Sequence, residues 1–161
     1  MISREEFRHA LGRFASGVTI ITTLDAAGHK HGITVSAFCS VSLAPPLVLI
    51  CIDKYTGSHH AFEQNECFAV NILREDQQHL SDRFASHLND KFDGIEYIEN
   101  ADGIPVLKDV LVNLECRRVN AHSSGDHTIF VGAVEHVTIG DGKPLVYFHG
   151  NYHKLKTQEQ F

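Results

Sequence analysis

Cations are scarce in this sequence. Lysine and arginine number 14 against 20 aspartates and glutamates, a net charge of −6 with histidine neutral. That balance excludes a broad nucleic-acid or anionic-membrane surface, which needs a basic patch. Cysteine is sparse too: four residues, at 39, 51, 67 and 116, with no CxxC pair. Neither a zinc ribbon nor a thioredoxin-type dithiol is expected. Each cysteine lies in an apolar, strand-like run and reads as a small buried hydrophobe. Four cysteines at this length are no disulfide scaffold, and reduced thiols suit a cytosol. Long apolar runs are missing. The longest, Leu43 to Ile52, contains Pro45 and Pro46 and falls far short of the roughly 20 residues that span a bilayer. The opening Met1-Ile2-Ser3-Arg4 has no signal-peptide stretch, and there is no Asn-x-Ser/Thr sequon. A cytoplasmic protein is expected.

The familiar motifs are also missing. There is no GxGxxG and no GxxxxGK[ST], so neither a Rossmann fingerprint nor a P-loop is present. There is no GxSxG elbow and no HExxH. What is abundant is histidine, with 12 residues. The first suspicion is metal, but the spacings do not support it. His59 and His60 are adjacent, His79 and His87 are not one helical turn apart, and Gly150 interrupts the pair His149 and His153. The expectation is therefore no metal site. The 161 residues suit one compact domain, 1–161, able to bury about 70% of its unfolded surface. The 43% apolar and 21% charged content is that of an ordinary globule.

Ser3 and Glu6 form an S-x-x-E capping box. Phe7, Ala10, Leu11, Phe14 and Ala15 then follow helical spacing up to Gly17, which predicts an amphipathic helix with a core-facing stripe. Val18 to Leu24 is β-branched and reads as a strand, closed by the turn Asp25-Ala26-Ala27-Gly28. Gly32 to Ser42 alternates. Ile33, Val35, Ala37, Cys39 and Val41 share one face; Thr34, Ser36, Phe38, Ser40 and Ser42 share the other. Leu47 to Ile52 and Cys67 to Leu73 read as strands, Thr56 to Glu63 as a short helix. Arg74 to Ser86 predicts a surface helix, and His87 to Gly94 a polar loop. Val110 to Cys116 alternates. Thr128 to Ile139 is a strand with Gly132 in its middle, where a ligand or another backbone approaches closely. Gly140 to Pro144 predicts a hairpin turn from which Leu145 to Phe148 returns. Many strands without regular βα alternation argue for an antiparallel barrel or sandwich.

Two segments point to chemistry. The hydroxyl-rich face of Thr34 to Ser42 either meets water or lines a groove. Small hydroxyls and backbone N–H groups can hold a phosphate or heterocycle without a glycine-rich loop. The second is Gly125-Asp126-His127-Thr128. A Gly-Asp turn is common, but Asp126 can also orient the His127 ring toward a ligand.

At this point the chain resembles the short-chain flavin reductases, whose fold is the FMN-binding split β-barrel. Members include reductase components of two-component flavin-dependent monooxygenases. The matching pieces run from Phe7 to Leu155. They include Phe14-Ala15-Ser16-Gly17-Val18-Thr19, Gly32-Ile33-Thr34-Val35-Ser36-Ala37-Phe38 and Ser40-Val41-Ser42 with Pro45-Pro46. Next come Phe68-Ala69-Val70-Asn71, Arg83-Phe84-Ala85 and Lys91-Phe92. Last are Gly125-Asp126-His127-Thr128 with Gly132, and Tyr147-Phe148 with Gly150 and Tyr152. Their order and spacing carry the resemblance.

The resemblance implies a mainly β fold, an antiparallel, Greek-key-like split barrel with a few flanking helices. It implies FMN or FAD as cofactor and NADH or NADPH as hydride donor. The implied cofactor contacts are Thr34, Val35, Ser36 and Ala37, then Cys51, Ile52 and Asp53 along the ring system, and Ser58 at the phosphate. Arg83, Phe84, Lys91 and Phe92 belong to a segment closing over the cofactor. His127 is implied to meet the nicotinamide nucleotide, with Tyr152 beside it. The cofactors then carry the hydride step, so no nucleophile or triad is needed. A homodimer and a monooxygenase receiving reduced flavin follow from the resemblance alone. Other readings are an FMN-binding reductase of another acceptor (metal complex, corrinoid or quinone), a non-catalytic flavin-binding electron carrier, and a histidine-based metal protein.

Overall fold

The computed structural model describes residues 1–156; the last five positions of the expected 1–161 domain lie outside the described residues. The chain begins with α1 (Arg4–Leu11), then β1 (Ser16–Gly17), β2 (Thr19–Leu24), β3 (Lys30–Val35), β4 (Phe38–Leu43) and β5 (Pro46–Asp53). After α2 (His59–Gln64), β6 (Cys67–Ile72) and α3 (Gln78–Ala85) come β7 (Tyr97–Glu99) and β8 (Pro105–Leu107). A long hairpin, β9 (Val112–Ser124) and β10 (His127–Ile139), precedes β11 (Leu145–Phe148) and β12 (Asn151–Lys154). No helix among the described residues is long and apolar enough to cross a membrane.

Seven strands form one antiparallel sheet in the order β3-β2-β6-β9-β10-β5-β4. The two edge strands are consecutive in the chain, joined only by Ser36 and Ala37. The sheet therefore curls round on itself without closing, as in a split barrel. Its interior is lined by Ile21, Val48, Ile50, Ile52, Phe68, Val70 and Phe130. Gly132 belongs to this interior. A Cβ there would lie 2.5 Å from the Phe68 ring, so the expected close approach is made by packing rather than by a ligand. A second apolar layer, with Ile20, Leu73, Phe84, Phe92 and Leu107, packs between the outside of the sheet and α3.

Several expectations are corrected. The Ser3/Glu6 capping box is present, but α1 stops at Leu11 and buries none of its residues. Phe7, Leu11 and Phe14 are exposed, so the expected stripe faces away from this chain's core. The alternating segment 32–42 is two strands on opposite edges, because the chain changes direction at Ser36-Ala37. The predicted helix 74–86 is shortened to α3 by the turn at Arg74–Gln77, where Gln77 donates its backbone N–H to the Arg74 carbonyl. Leu145 to Phe148 does not return along β10; it pairs with β1 and β12 in a separate three-stranded sheet. The hairpin lies instead at Ser124–His127, where Gly125 adopts a left-handed φ of +61°.

Candidate functional site

Beyond Ala37 the two edges part. The Ala37 carbonyl still accepts the Cys51 N–H at 3.1 Å. From there β3 peels away from the end of β5, and a groove of about 510 Å³ opens between them. One wall is Lys30 to Ile33 of β3. The second is Asp53 and the turn Tyr55-Thr56-Gly57-Ser58. The third is Phe84 with the loop from Ser86 to Phe92. The volume lies in the range of small-molecule sites.

The β5 turn is built by local bonds. The Asp53 carboxylate accepts the Tyr55 N–H at 2.8 Å, and the Asp53 carbonyl accepts the Thr56 hydroxyl at 3.0 Å. Ser58 follows, 8% exposed, and its hydroxyl has no partner among the described residues. Lys54 fixes the turn to the β9–β10 hairpin, donating from Nζ to the Ser123 hydroxyl and the Gly125 carbonyl, both at 2.7 Å.

That tie governs His127. In the β5–β10 ladder His127 stands opposite Asp53. Directly paired residues project on the same face. Asp53 lines the groove and His127 is its ladder neighbour, although His127 itself is not among the residues that line the groove. Its Nδ1–H donates to Asp126 at 2.7 Å. The same bond holds the Asp126 carboxyl below the usual carboxylate range. It also leaves Nε2 as the ring nitrogen not taken up by that bond.

The α3 wall is held by two cations. Arg83 donates to the carbonyls of Lys91 at 2.7 Å, Asp93 at 2.8 Å and Asp90 at 3.3 Å. Lys91 donates from Nζ to the Phe84 carbonyl at 2.8 Å and the Gly32 carbonyl at 3.2 Å. Burial lowers the Lys91 ammonium from its ordinary value. An ammonium has three donors, so one is left over for a ligand. Gly32 permits this closure: a Cβ there would meet the Phe84 ring at 2.5 Å. Phe84 and Phe92 stack edge to face at 5.1 Å beneath the wall.

The positions singled out in the sequence therefore separate. Asp53, Ser58, Phe84, Lys91 and Phe92 line the groove. Cys51 shares the outer ladder face with Asp53, and burial raises its thiol. Val35 and Ile52 point into the barrel core, 6% and 1% exposed, and offer only backbone. Ser36 and Ala37 sit exposed at the junction where the edges part. Thr34 turns its hydroxyl to the Ser81 carbonyl at 2.6 Å, so the hydroxyl face does not form one stripe. Tyr152 shares a 2.7 Å hydrogen bond with the Ser81 hydroxyl and does not line the groove. Burial raises its phenol. Sequence reading missed Lys30, His31, Thr56 and His87 as groove residues. The run from Asp53 to Ser58 was the one local signal for the turn; the others reach the groove through strand pairing.

An open antiparallel barrel with a nucleotide-sized groove at its split defines a split-barrel binding protein. Residues 11–156 match the family described as Flavin reductase like domain, and the chain belongs to that family. It is 42% identical over 152 residues to the FMN reductase (NADH) SmoA of Agrobacterium fabrum, covering 94% of this chain and 86% of SmoA. It is 40% identical over 152 residues to the flavin-dependent monooxygenase reductase subunit HsaB of Rhodococcus jostii, covering 94% and 77%. Among solved structures it superposes on the Streptomyces globisporus NADH:FAD oxidoreductase SgcE6, in complex with NAD and FAD fragments. That match has a TM-score of 0.92 and 31% identity, covering 98% of this chain and 96% of that one.

Proposed function

We propose that this chain is an NADH-dependent flavin reductase that takes FMN or FAD into the groove and supplies reduced flavin to a monooxygenase. The observation that supports this reading is the β5–β10 register, in which His127 stands opposite Asp53, a residue of the groove wall. The names of SmoA, HsaB and SgcE6 support the flavin, nicotinamide and oxygenase assignments.

The groove fits a flavin nucleotide. The free Ser58 hydroxyl and the spare Lys91 donor are local grips for a phosphate, which the net acidic chain cannot supply as a broad field. Backbone groups of Gly32 and of the turn after Asp53 would hold the ring system. A bound flavin supplies the hydride-accepting ring. The chain's part is to bind, orient and exclude: Phe84 and Phe92 close one side, and Asp126 fixes the His127 ring for the incoming nicotinamide nucleotide.

The functional unit in this reading is one domain acting as a homodimer in the cytoplasm. The exposed Phe7, Leu11 and Phe14, and the exposed Leu43 on edge strand β4, support a second copy. Four free cysteines support a reducing compartment.

The test mixes purified protein, NADH and excess FMN or FAD and follows NADH absorbance. Flavin-dependent loss of NADH is expected; its absence overturns the reading, and a passive electron carrier would consume none. His127→Ala should raise KM for NADH about tenfold, as expected for one lost hydrogen bond to a charged or strongly polar ligand. Flavin affinity by fluorescence titration should stay within about twofold. An unchanged KM for NADH removes His127 from the nucleotide site.

A further inference from the structure

Three side chains from three parts of the chain converge, one of which, His31, also lines the groove. Asp25 follows β2, His31 lies on β3 and His60 on α2. One ligand atom from each lies within 4.8 Å of the others. Comparing histidine spacings within one element could not find this set, because the barrel brings the three together.

The geometry is already close to that of a metal site. His31 Nε2 is 3.2 Å from Asp25 Oδ2. Two ligands on a tetrahedral zinc at about 2.0–2.1 Å are separated by about 3.3 Å. The His31 and His60 rings meet edge to face at 4.9 Å, so His60, which is exposed, needs only side-chain rotation to converge. Asp25 and His31 are well shielded, with side chains 13% and 19% exposed.

The carboxylate is also held from behind. Asp25 Oδ1 accepts the backbone N–H groups of Ala27 and His29, both at 2.9 Å. Oδ2 faces the His31 Nε2 and also meets the exposed His29 ring, Nδ1 at 3.0 Å, a contact that a metal on Oδ2 would share or displace. Bonds to the other carboxylate oxygen orient a metal-binding carboxylate. The two parts of the cluster are tied together, because the Ala26 N–H donates to Gln64 Oε1 of α2 at 3.0 Å.

We propose that Asp25, His31 and His60 bind a divalent transition metal of the zinc class, with water completing the coordination. Two imidazoles and one carboxylate select zinc, cobalt or nickel over magnesium and calcium, which prefer all-oxygen sets. The metal takes the Nε2 lone pair of His31 and replaces its hydrogen bond to Asp25. It thereby clasps the turn after β2 to α2 at the groove wall to which His31 belongs. Three protein ligands leave an open position. The proposal stands apart from the flavin reading, because its test uses neither flavin nor nicotinamide.

Tag-free, chelator-treated protein is titrated with Co²⁺ by visible absorption and with Zn²⁺ by calorimetry. The expected result is one saturable equivalent per chain, with a ligand-field band for Co²⁺. His60→Ala, on an exposed position, should weaken both metals at least about tenfold, the loss of one ligand. His31→Ala should do the same, and His136→Ala, an exposed histidine elsewhere, should change neither. Zn²⁺ at about a hundredfold excess over its Kd should raise Tm by about 5 °C in the parent chain and not in His60→Ala. Mg²⁺ at the same concentration should leave Tm unchanged. Absence of a saturable one-to-one site overturns the proposal. So does full binding in His60→Ala, which would place the metal on other histidines.

Discussion

Arg83→Leu is expected to raise the Kd for FMN and FAD about tenfold or more while kcat stays within about threefold. The reason is positional. Arg83 does not line the groove; its guanidinium is taken up by the carbonyls of Asp90, Lys91 and Asp93. Those three bonds hold the loop that forms the third wall of the groove. A typical hydrogen bond contributes about 1 kcal/mol net, and one to a charged group more. Their loss frees the loop, and the fraction of molecules with a formed wall falls. Apparent affinity falls in the same proportion. Lys91 loses its placement together with the loop. Leucine keeps the apolar stem and the helix propensity of α3, so global stability should change little. Fluorescence titration together with steady-state kinetics checks the result. A Kd equal to that of the parent would show that the loop is no part of the flavin site. An intermediate affinity in Arg83→Lys would show that fan-shaped bonding, beyond charge, holds the wall.

Asn71→Ala is expected to destabilise the protein by about 4 kcal/mol and to lower Tm by about 8–16 °C. Asn71 is fully buried. Its side-chain NH₂ donates to the Ile20 carbonyl at 2.9 Å and the Thr22 hydroxyl at 3.2 Å. Its oxygen accepts the Leu107 N–H at 2.9 Å and the Asn113 amide at 2.8 Å. All four bonding positions of the amide are used. It joins β2, β6, β8 and β9 at one point. Alanine leaves the Leu107 N–H without its partner in a site closed to water and opens a void. Each orphaned buried group costs about 1–3 kcal/mol, and the void adds to it. Urea and thermal denaturation measure the change. A loss below about 1 kcal/mol would mean that water enters and replaces the amide.

The contrast between these two residues shows what was legible. Arg83 and Asn71 both stand in segments that carried the resemblance, and neither segment says what the side chain does. Arg83 bonds to carbonyls seven to ten residues away, and Asn71 to groups as far as 51 residues away. The strands were legible because β-branched runs such as Thr19 to Leu24 favour extended backbone. The break at Ser36-Ala37 was not legible. Alternation continues through it, although the chain leaves one edge of the sheet for the other. The end of α1 was not legible for a related reason: Phe14 continues the apolar spacing, but nothing among the described residues covers it. Asp53 and His127 were each singled out, and only the strand register relates them.

The order of strands also sets the order in which the sheet can be completed. β3-β2-β6 and β5-β4 are built from the first 72 residues, yet no strand of one half pairs with a strand of the other; the chain only crosses between them, at Ser36-Ala37 and again through residues 54–66 with α2. The neighbours that connect β6 to β5 are β9 and β10, residues 112–139. During synthesis at about 5–20 residues per second, the inner edges of β6 and β5 wait several seconds for that hairpin. The same distant pairing places folding in the slow, millisecond-to-second class. The hairpin that positions His127 thus has an earlier task as the keystone between two unfinished half-sheets.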